Sequence, residues 1–380
     1  MSTADRQDGS TSDVAARMRE AGFVRLVAAA DGDSVAAAAL LATALEERGV
    51  PYQTSVTPLP DSATRGTDAD LTVAVGRETA DADLALGTDE VASRTAAAVA
   101  REFDAGGLVL ALAGTVAAEG HPGDRLAAAA ADGGIERRPG VGVPTPDLAD
   151  GLAHSTLVHA PFSGDVAATW ECLDGLGADD PDEAARRAVA SETALAVAGD
   201  PAGTAAGADR VEGLLRPLAG GPFETIEGYA DVLGAVARER PGLAIPLALG
   251  GLDREEALSI WRTHGSRVHE AVRSARTARY DGLFVAYCDG RPPVGSVADL
   301  VAAYRSPEPV TLVVGEGVAA AQARDEAGSE PASTDSIGIG TVMTETATAV
   351  GGSGGGTLDS GRARFDADPT EFVAAFTEAV

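Results

Sequence analysis

Apolar positions along the chain follow two periods in turn, one suited to strands and one to helices. Phe23 to Ala30 is a compact apolar run ending at Asp31-Gly32, and Ser34 to Arg48 follows as an alanine- and leucine-rich stretch closed by Gly49. That order predicts a strand, a sharp turn and a helix with Ser34 as its cap. Tyr52 to Leu59 and Leu71 to Val75 read as further strands, Val91 to Phe103 as a helix, and Leu108 to Ala113 as the next buried strand. Strands alternating with helices predict an α/β fold with a doubly wound parallel sheet.

Arg138 to Pro146 is a loop rich in proline and glycine, and Pro181 to Thr277 is mainly helical, with breaks near Gly199 and Gly220. Beyond it, Gly282 to Cys288 and Val310 to Val314 read as strands, and Ser336 to Ser360 is dense in glycine and threonine. The expected division is a polar tail over 1–20, a doubly wound domain over 21–180, a helical connecting region over 181–277 and a smaller α/β domain over 278–380. An irregular insertion is expected over 316–336, and a cleft between the two α/β domains.

Composition narrows the chemistry. Over 380 residues the net charge is -29, every basic residue is arginine, and lysine and asparagine are both absent. Acidic excess along the whole length fits a protein kept hydrated in concentrated salt, where charges are screened over about 3 Å at 1 M. In dilute buffer the same charge repels itself. Without lysine there is no Walker A loop and no Schiff-base chemistry. Cys172 and Cys288 stand too far apart in sequence for a CxxC pair. Met1 to Asp13 lacks the apolar core of a signal peptide. The apolar stretch from Gly107 to Ala118 is shorter than the roughly 18 residues a membrane span needs. A soluble, cytoplasmic protein with no membrane partner is expected.

The order of pieces resembles the DHH-superfamily phosphoesterases, the archaeal RecJ-like group in particular. Asp31-Gly32 before Val35 to Leu41 is similar to the first family motif, and Leu71 to Gly76 sits where the second carries an aspartate. Leu112 to Ala117 resembles the approach to the fourth motif, His159 to Asp165 the Ser-Pro-Phe-Ser-Gly-Asp segment, and Tyr229 to Arg238 the Leu-Asn-Ala helix, with Gly234 in place of asparagine. Gly351 to Gly356 falls where the C-terminal domain of the family has a Gly-Gly-His loop. The resemblance implies a parallel-sheet DHH-like domain and a DHH-associated C-terminal domain.

The departures fall on the metal ligands. Active members hold two manganese or magnesium ions, which activate a water and stabilise an in-line displacement. Here the first-motif histidine falls on Val27 and its first aspartate on Ala29, and only the second, Asp31, survives. The second-motif aspartate falls on Ala74, the fourth-motif aspartate on Ala118, and the Asp-His-His motif on Gly87-Thr88-Asp89. The loop histidine of the C-terminal domain falls on Ser353. Valine and alanine offer no lone pair to a cation. No catalytic residue, metal or other cofactor is therefore expected, and Asp31 is vestigial.

Other signals have plainer readings. His154 and His159 near Asp165 read as a loop histidine and a packed one. Gly351-Gly352-Ser353-Gly354-Gly355 matches a nucleophile elbow, but no histidine follows His269, so a flexible turn is expected. Backbone N–H groups from Gly351, Gly352, Ser353, Gly354, Gly355 and Gly356 can still meet a phosphate. Arg262, Arg267, Arg273, Arg276 and Arg279 form a basic cluster, either a nucleic-acid contact or a solvated face pairing with carboxylates.

Two functions remain open. By resemblance the chain is a catalytically silent binding component in DNA replication or repair, like the helicase-associated protein that bridges GINS and MCM, with single-stranded DNA as a further partner. The alternative is a divergent single-strand 5′–3′ exonuclease or nucleotide phosphodiesterase using Mn2+ or Mg2+ on Asp31, Asp33, Glu119, His154 and His159. Convergence of those five side chains separates the two.

Overall fold

A computed structural model of the chain describes residues 11–58, 68–77, 79, 81–88, 90–178, 181–324 and 338–380. They form two compact units, one of residues up to 138 with 218–261, the other of 139–217 with 262–380. The first unit begins with α1 (Thr11–Glu20), β1 (Val24–Ala29), α2 (Gly32–Glu47), β2 (Tyr52–Thr57), β3 (Leu71–Val75), β4 (Leu84–Leu86), α3 (Ala92–Arg101), α4 (Leu108–Glu119) and α5 (Gly123–Asp132). The second opens with α6 (Leu148–His154), α7 (Val166–Cys172), α8 (Glu183–Ala198) and α9 (Ala205–Glu212). The chain returns to the first with α10 (Ile226–Glu239), α11 (Pro241–Ala248) and the start of α12 (Arg254–Ser274). It completes the second with β5 (Arg276–Tyr280), β6 (Leu283–Tyr287), α13 (Val294–Tyr304), β7 (Val310–Gly315), β8 (Val318–Ala323), α14 (Ile339–Ala349), β9 (Ser353–Gly356), β10 (Ser360–Arg364) and α15 (Pro369–Ala379).

In the first unit the four strands are all parallel in the order β2-β1-β3-β4. The inner strands β1 and β3 are apolar and buried, as parallel strands covered on both faces require. Helix α2 packs against β1 and also against α3, α4, α10 and α11. It is therefore buried almost all round, and alanine makes this possible because its short side chain lets neighbouring backbones approach.

Leu108 to Ala113, expected as a strand, is instead the first half of α4. Its neighbours α2, α3 and α10 leave Leu110 to Val116 without a solvent face. A helix buried on every side shows no polar stripe, so its period cannot be read from the apolar run. A Cβ at Gly114 would meet Ser93 Cβ at 2.5 Å and Ala36 Cβ at 2.8 Å, which shows how closely α4 approaches α3 and α2.

In the second unit a six-stranded mixed sheet runs β5-β6-β7-β8-β10-β9, with β6 and β7 parallel and the other neighbours antiparallel. Successive side chains of a strand point to opposite faces. Leu312 and Val314 accordingly join Ile339, Met343, Phe372 and Phe376 of α14 and α15, whereas Val313 joins Val297 and Val301 of α13. The stretch 316–336, expected to be irregular, contains strand β8, and its residues 325–336 lie outside the described residues. The glycine-rich run expected to turn flexibly is edge strand β9 with α14 packed on it. The fold class is thus α/β, a parallel-sheet domain with a C-terminal domain that has its own sheet.

Candidate functional site

The C-terminal ends of β1 and β3 carry the positions where the resemblance places metal ligands. Val27 and Ala74 are register partners on these adjacent strands, both buried and both without a donor atom. At the end of β1 the backbone of Asp31 is extended, and its carboxylate accepts from Ser34 N at 2.8 Å and Ser34 Oγ at 2.9 Å. Asp31 is the N-cap of α2, a role set by its position three residues before a helical amide. The expected cap, Ser34, is instead the residue that Asp31 holds.

Gly76 ends β3 with φ of 74°, and a Cβ there would fall 1.8 Å from Ser34 Oγ. Only glycine lets the end of β3 lie so close to the start of α2. Arg77 follows, and its Nη2 donates to Ala28 O at 3.4 Å and Thr57 O at 3.1 Å. Asp33 reaches the start of α3, accepting from Ala92 N at 2.7 Å and Ser93 N at 2.9 Å. It caps a helix whose own N-cap residue, Val91, has no side-chain bond to give. Burial pushes the Asp33 carboxyl up to about 7, with the Asp31 charge adding to the rise and the Ser93 and Ala92 bonds opposing it. Glu119 pairs with Arg94, at 2.5 and 3.3 Å. Residue 89, the end of the expected Asp-His-His segment, lies outside the described residues.

His154 and His159 belong to the second unit. His154 Nδ1 lies 3.1 Å from Asp150 Oδ1 one helical turn away, and Arg262 grips the same carboxylate at 2.8, 3.0 and 3.1 Å. Burial would raise the Asp150 pKa, but the bonds from His154 and Arg262 and the Arg262 charge hold it at about 2. His159 is buried and stacks on His269, with ring centres 5.3 Å apart and Nδ1 atoms 3.1 Å apart.

The stacked pair has one consistent protonation. Arg305 can only donate to His159 Nε2, at 2.9 Å. His159 therefore carries its proton on Nδ1 and donates to His269 Nδ1. His269 in turn donates from Nε2 to Ser155 O at 2.9 Å. Burial, followed by neighbouring positive charge, lowers His159 to about 3; burial also lowers His269, to about 4, against the Ser155 bond.

All five residues of the alternative metal set are thus held in local bonds. Among the described residues no group of three or more His, Cys, Asp or Glu side chains could hold a metal ion. The donors present do not fit a two-metal centre, since the lost positions offer no atom and Asp31 and Asp33 each cap a helix.

The arginine cluster is likewise engaged. Besides Arg262, Arg267 reaches Arg291 O at 3.3 Å, Arg273 binds Ser163 O and Glu270, Arg276 lies over the Tyr287 ring, and Arg279 pairs with Glu308. The Gly351 to Gly356 run is explained by packing. A Cβ at Gly354 would meet Met343 O of α14 at 2.5 Å, and one at Gly356 would meet Ser360 O at 2.0 Å. Ser353 sits in β9 opposite Arg364. Arg77, His269 and Arg305 escaped the sequence reading. Of these, only Arg77 had a local signal, being an arginine directly after a glycine that ends an apolar strand.

Residues 275–378 match a family model described as the C-terminal domain of uncharacterized protein rrnAC1427. Over 377 residues the chain is 50% identical to uncharacterized protein rrnAC1427 of Haloarcula marismortui, covering 98% of this chain and 97% of that one. The chain belongs to the rrnAC1427 family. Among solved structures it is similar to CDC45 from Entamoeba histolytica, with a TM-score of 0.60 and 10% identity over 97% of this chain and 98% of that one. RecJ from Thermus thermophilus in complex with Mg2+ aligns with a TM-score of 0.45 and 15% identity, over 97% of this chain and 52% of that one. The chain thus shares the fold of that CDC45 structure. No helix among the described residues is long and apolar enough to cross a membrane.

Proposed function

We propose that the chain is a catalytically silent RecJ-like protein that works as a binding component in DNA replication or repair, as a CDC45-type protein would. The observation that carries this reading is the state of the sheet end. The carboxylates left there, Asp31 and Asp33, cap α2 and α3, and Val27, Ala29 and Ala74 offer a cation nothing. Two divalent ions need several oxygen or nitrogen ligands. The partners are replisome proteins of the GINS and MCM type, with single-stranded DNA as a weaker candidate given a net charge of -29. The setting is the cytoplasm of a salt-adapted cell, in keeping with a chain that has no lysine.

The test is affinity capture of the tagged chain from native lysate at molar potassium chloride, with partners identified by mass spectrometry. Alongside it, nucleotide release from a 5′-labelled single strand is followed with manganese. Specific recovery of helicase-associated proteins and no release is expected. Manganese-dependent release, or capture of no replication protein, would count against the reading.

A further inference from the structure

The C-terminal end of the four-stranded sheet brings a buried arginine near an aspartate. Strands β1, β2 and β3 run parallel, so their C-terminal residues lie at the same end of the sheet. Asp31 stands at that end on the turn into α2, and Asp33 is close enough to feel its charge. Arg77 enters here from β3 and is 7% exposed. Its described contacts are carbonyls, Ala28 O and Thr57 O, rather than a carboxylate. Among the described residues its Nε has no partner, and neither has the buried Thr57 Oγ1 beside it.

Hydrogen bonds alone do not account for an arginine in this place. A buried guanidinium is expensive unless negative charge compensates it, and a neutral donor would serve two carbonyls as well. Burial works against the charged form of Arg77 and the Asp31 carboxylate works for it.

We propose that Arg77 is a fixed internal cation, carrying at the sheet end the positive charge that a RecJ-like nuclease obtains from metal ions. The comparison with a metal rests on the RecJ-like reading, whereas the charge argument rests on the sheet alone. Arg77 then balances the Asp31 charge while it binds Ala28 O and Thr57 O, with no ion to bind or lose.

The experiment compares thermal midpoints of wild type, Arg77→Lys, Arg77→Gln, Asp31→Asn and the Arg77→Gln/Asp31→Asn double variant. Glutamine keeps an amide donor for the carbonyls without the charge, and lysine keeps the charge without the fork. Asparagine caps a helix nearly as well as aspartate, so Asp31→Asn removes charge and little else. If Arg77 acts as a cation, Arg77→Gln lowers the midpoint by about 4 °C or more, and Arg77→Lys by clearly less. Asp31→Asn then lowers the wild-type midpoint, because it strips the buried guanidinium of its counter-charge, and in the glutamine background it costs clearly less or restores part of the loss. Equal losses for lysine and glutamine, with an Asp31→Asn effect that is the same in both backgrounds, overturn the proposal.

Should Arg77→Gln fail to fold, the double variant decides. Its folding supports the charge role, and its failure overturns it. Strand hydrolysis by the wild type is a separate readout that bears on the silent-site reading and leaves the charge cycle intact.

Discussion

Mild acid is expected to move the two units in opposite directions. In the second unit His159 and His269 are neutral, with folded pKa values of about 3 and about 4 against 6.5 in an unfolded chain. Below pH 6.5 the unfolded chain takes up protons that the folded unit refuses, so stability present above 6.5 is lost as pH falls toward the folded values. The geometry supplies the reason. A proton on His269 Nδ1 would face the N–H of His159, and a proton on His159 Nε2 would face Arg305. Arg273, His264 and His154 add further positive charge around His269.

In the first unit Asp33 and Glu227 are both raised to about 7, chiefly by burial, from 3.8 and 4.5. Glu227 accepts from Leu218 N at 3.1 and 3.2 Å and is almost wholly enclosed. For these groups the folded state binds the proton first. Their contribution is full below the unfolded pKa and is lost as pH rises through 7. At 1.36 kcal/mol per pKa unit, a fall to about pH 5 removes roughly 2 kcal/mol per histidine and adds roughly 2–3 kcal/mol per carboxylate.

Hydrogen exchange resolved by peptide, at molar salt and corrected for intrinsic rates, reads both units at once. Between about pH 7.5 and about pH 5, protection is expected to fall about tenfold or more in peptides of α6 and β6, and to rise in those of α2 and α10. His159→Gln with His269→Gln should flatten the first response, and Asp33→Asn with Glu227→Gln the second. Protection that shifts the same way in both units, or is untouched by these substitutions, would refute the reasoning.

Three further outcomes are expected. Asp31→Ala should destabilise by about 1 kcal/mol more than Asp31→Asn, because alanine also loses the cap of α2, measured by denaturant titration. Gly354→Ala should destabilise by about 1–3 kcal/mol, because the new methyl group meets the Met343 carbonyl at 2.5 Å; an unchanged midpoint would show that α14 does not seal β9. With a net charge of -29, the chain should melt cooperatively in molar potassium chloride and lose compactness in dilute buffer, checked by scattering and circular dichroism.

Much of the parallel sheet was legible because strands buried on both faces read as short apolar runs, and β1 and β3 do so almost residue by residue. Helix α4 was not, because burial on all sides erased its period. Strand β8 was missed since Val318 to Ala323 is mostly alanine, which signals neither strand nor helix strongly. At the candidate site, that Val27, Ala29 and Ala74 have no donor side chain is plain in the sequence. The duties of Asp33 and His159 are not. That Asp33 caps α3 across 59 positions, and that His159 meets His269 across 110, depends on pairings that only the fold creates.

Asp31 and Asp33 also show how this sheet end can keep its shape through hydrogen bonds of its own. In a metal site, carboxylates at a strand end repel one another, and the ions hold them in place. Here each carboxylate has found backbone amides instead, Ser34 for one and Ala92 and Ser93 for the other. A cap of this kind is worth about 1 kcal/mol, satisfies an amide that a helix start otherwise leaves open, and sits well at the positive end of the helix. The residue positions without such a duty, Val27 and Ala74, are the ones filled with apolar side chains that pack in the sheet. Asp31 is thus held by the helix it starts. A strand-to-helix turn built in this way is held by its own hydrogen bonds whether or not a divalent cation is present.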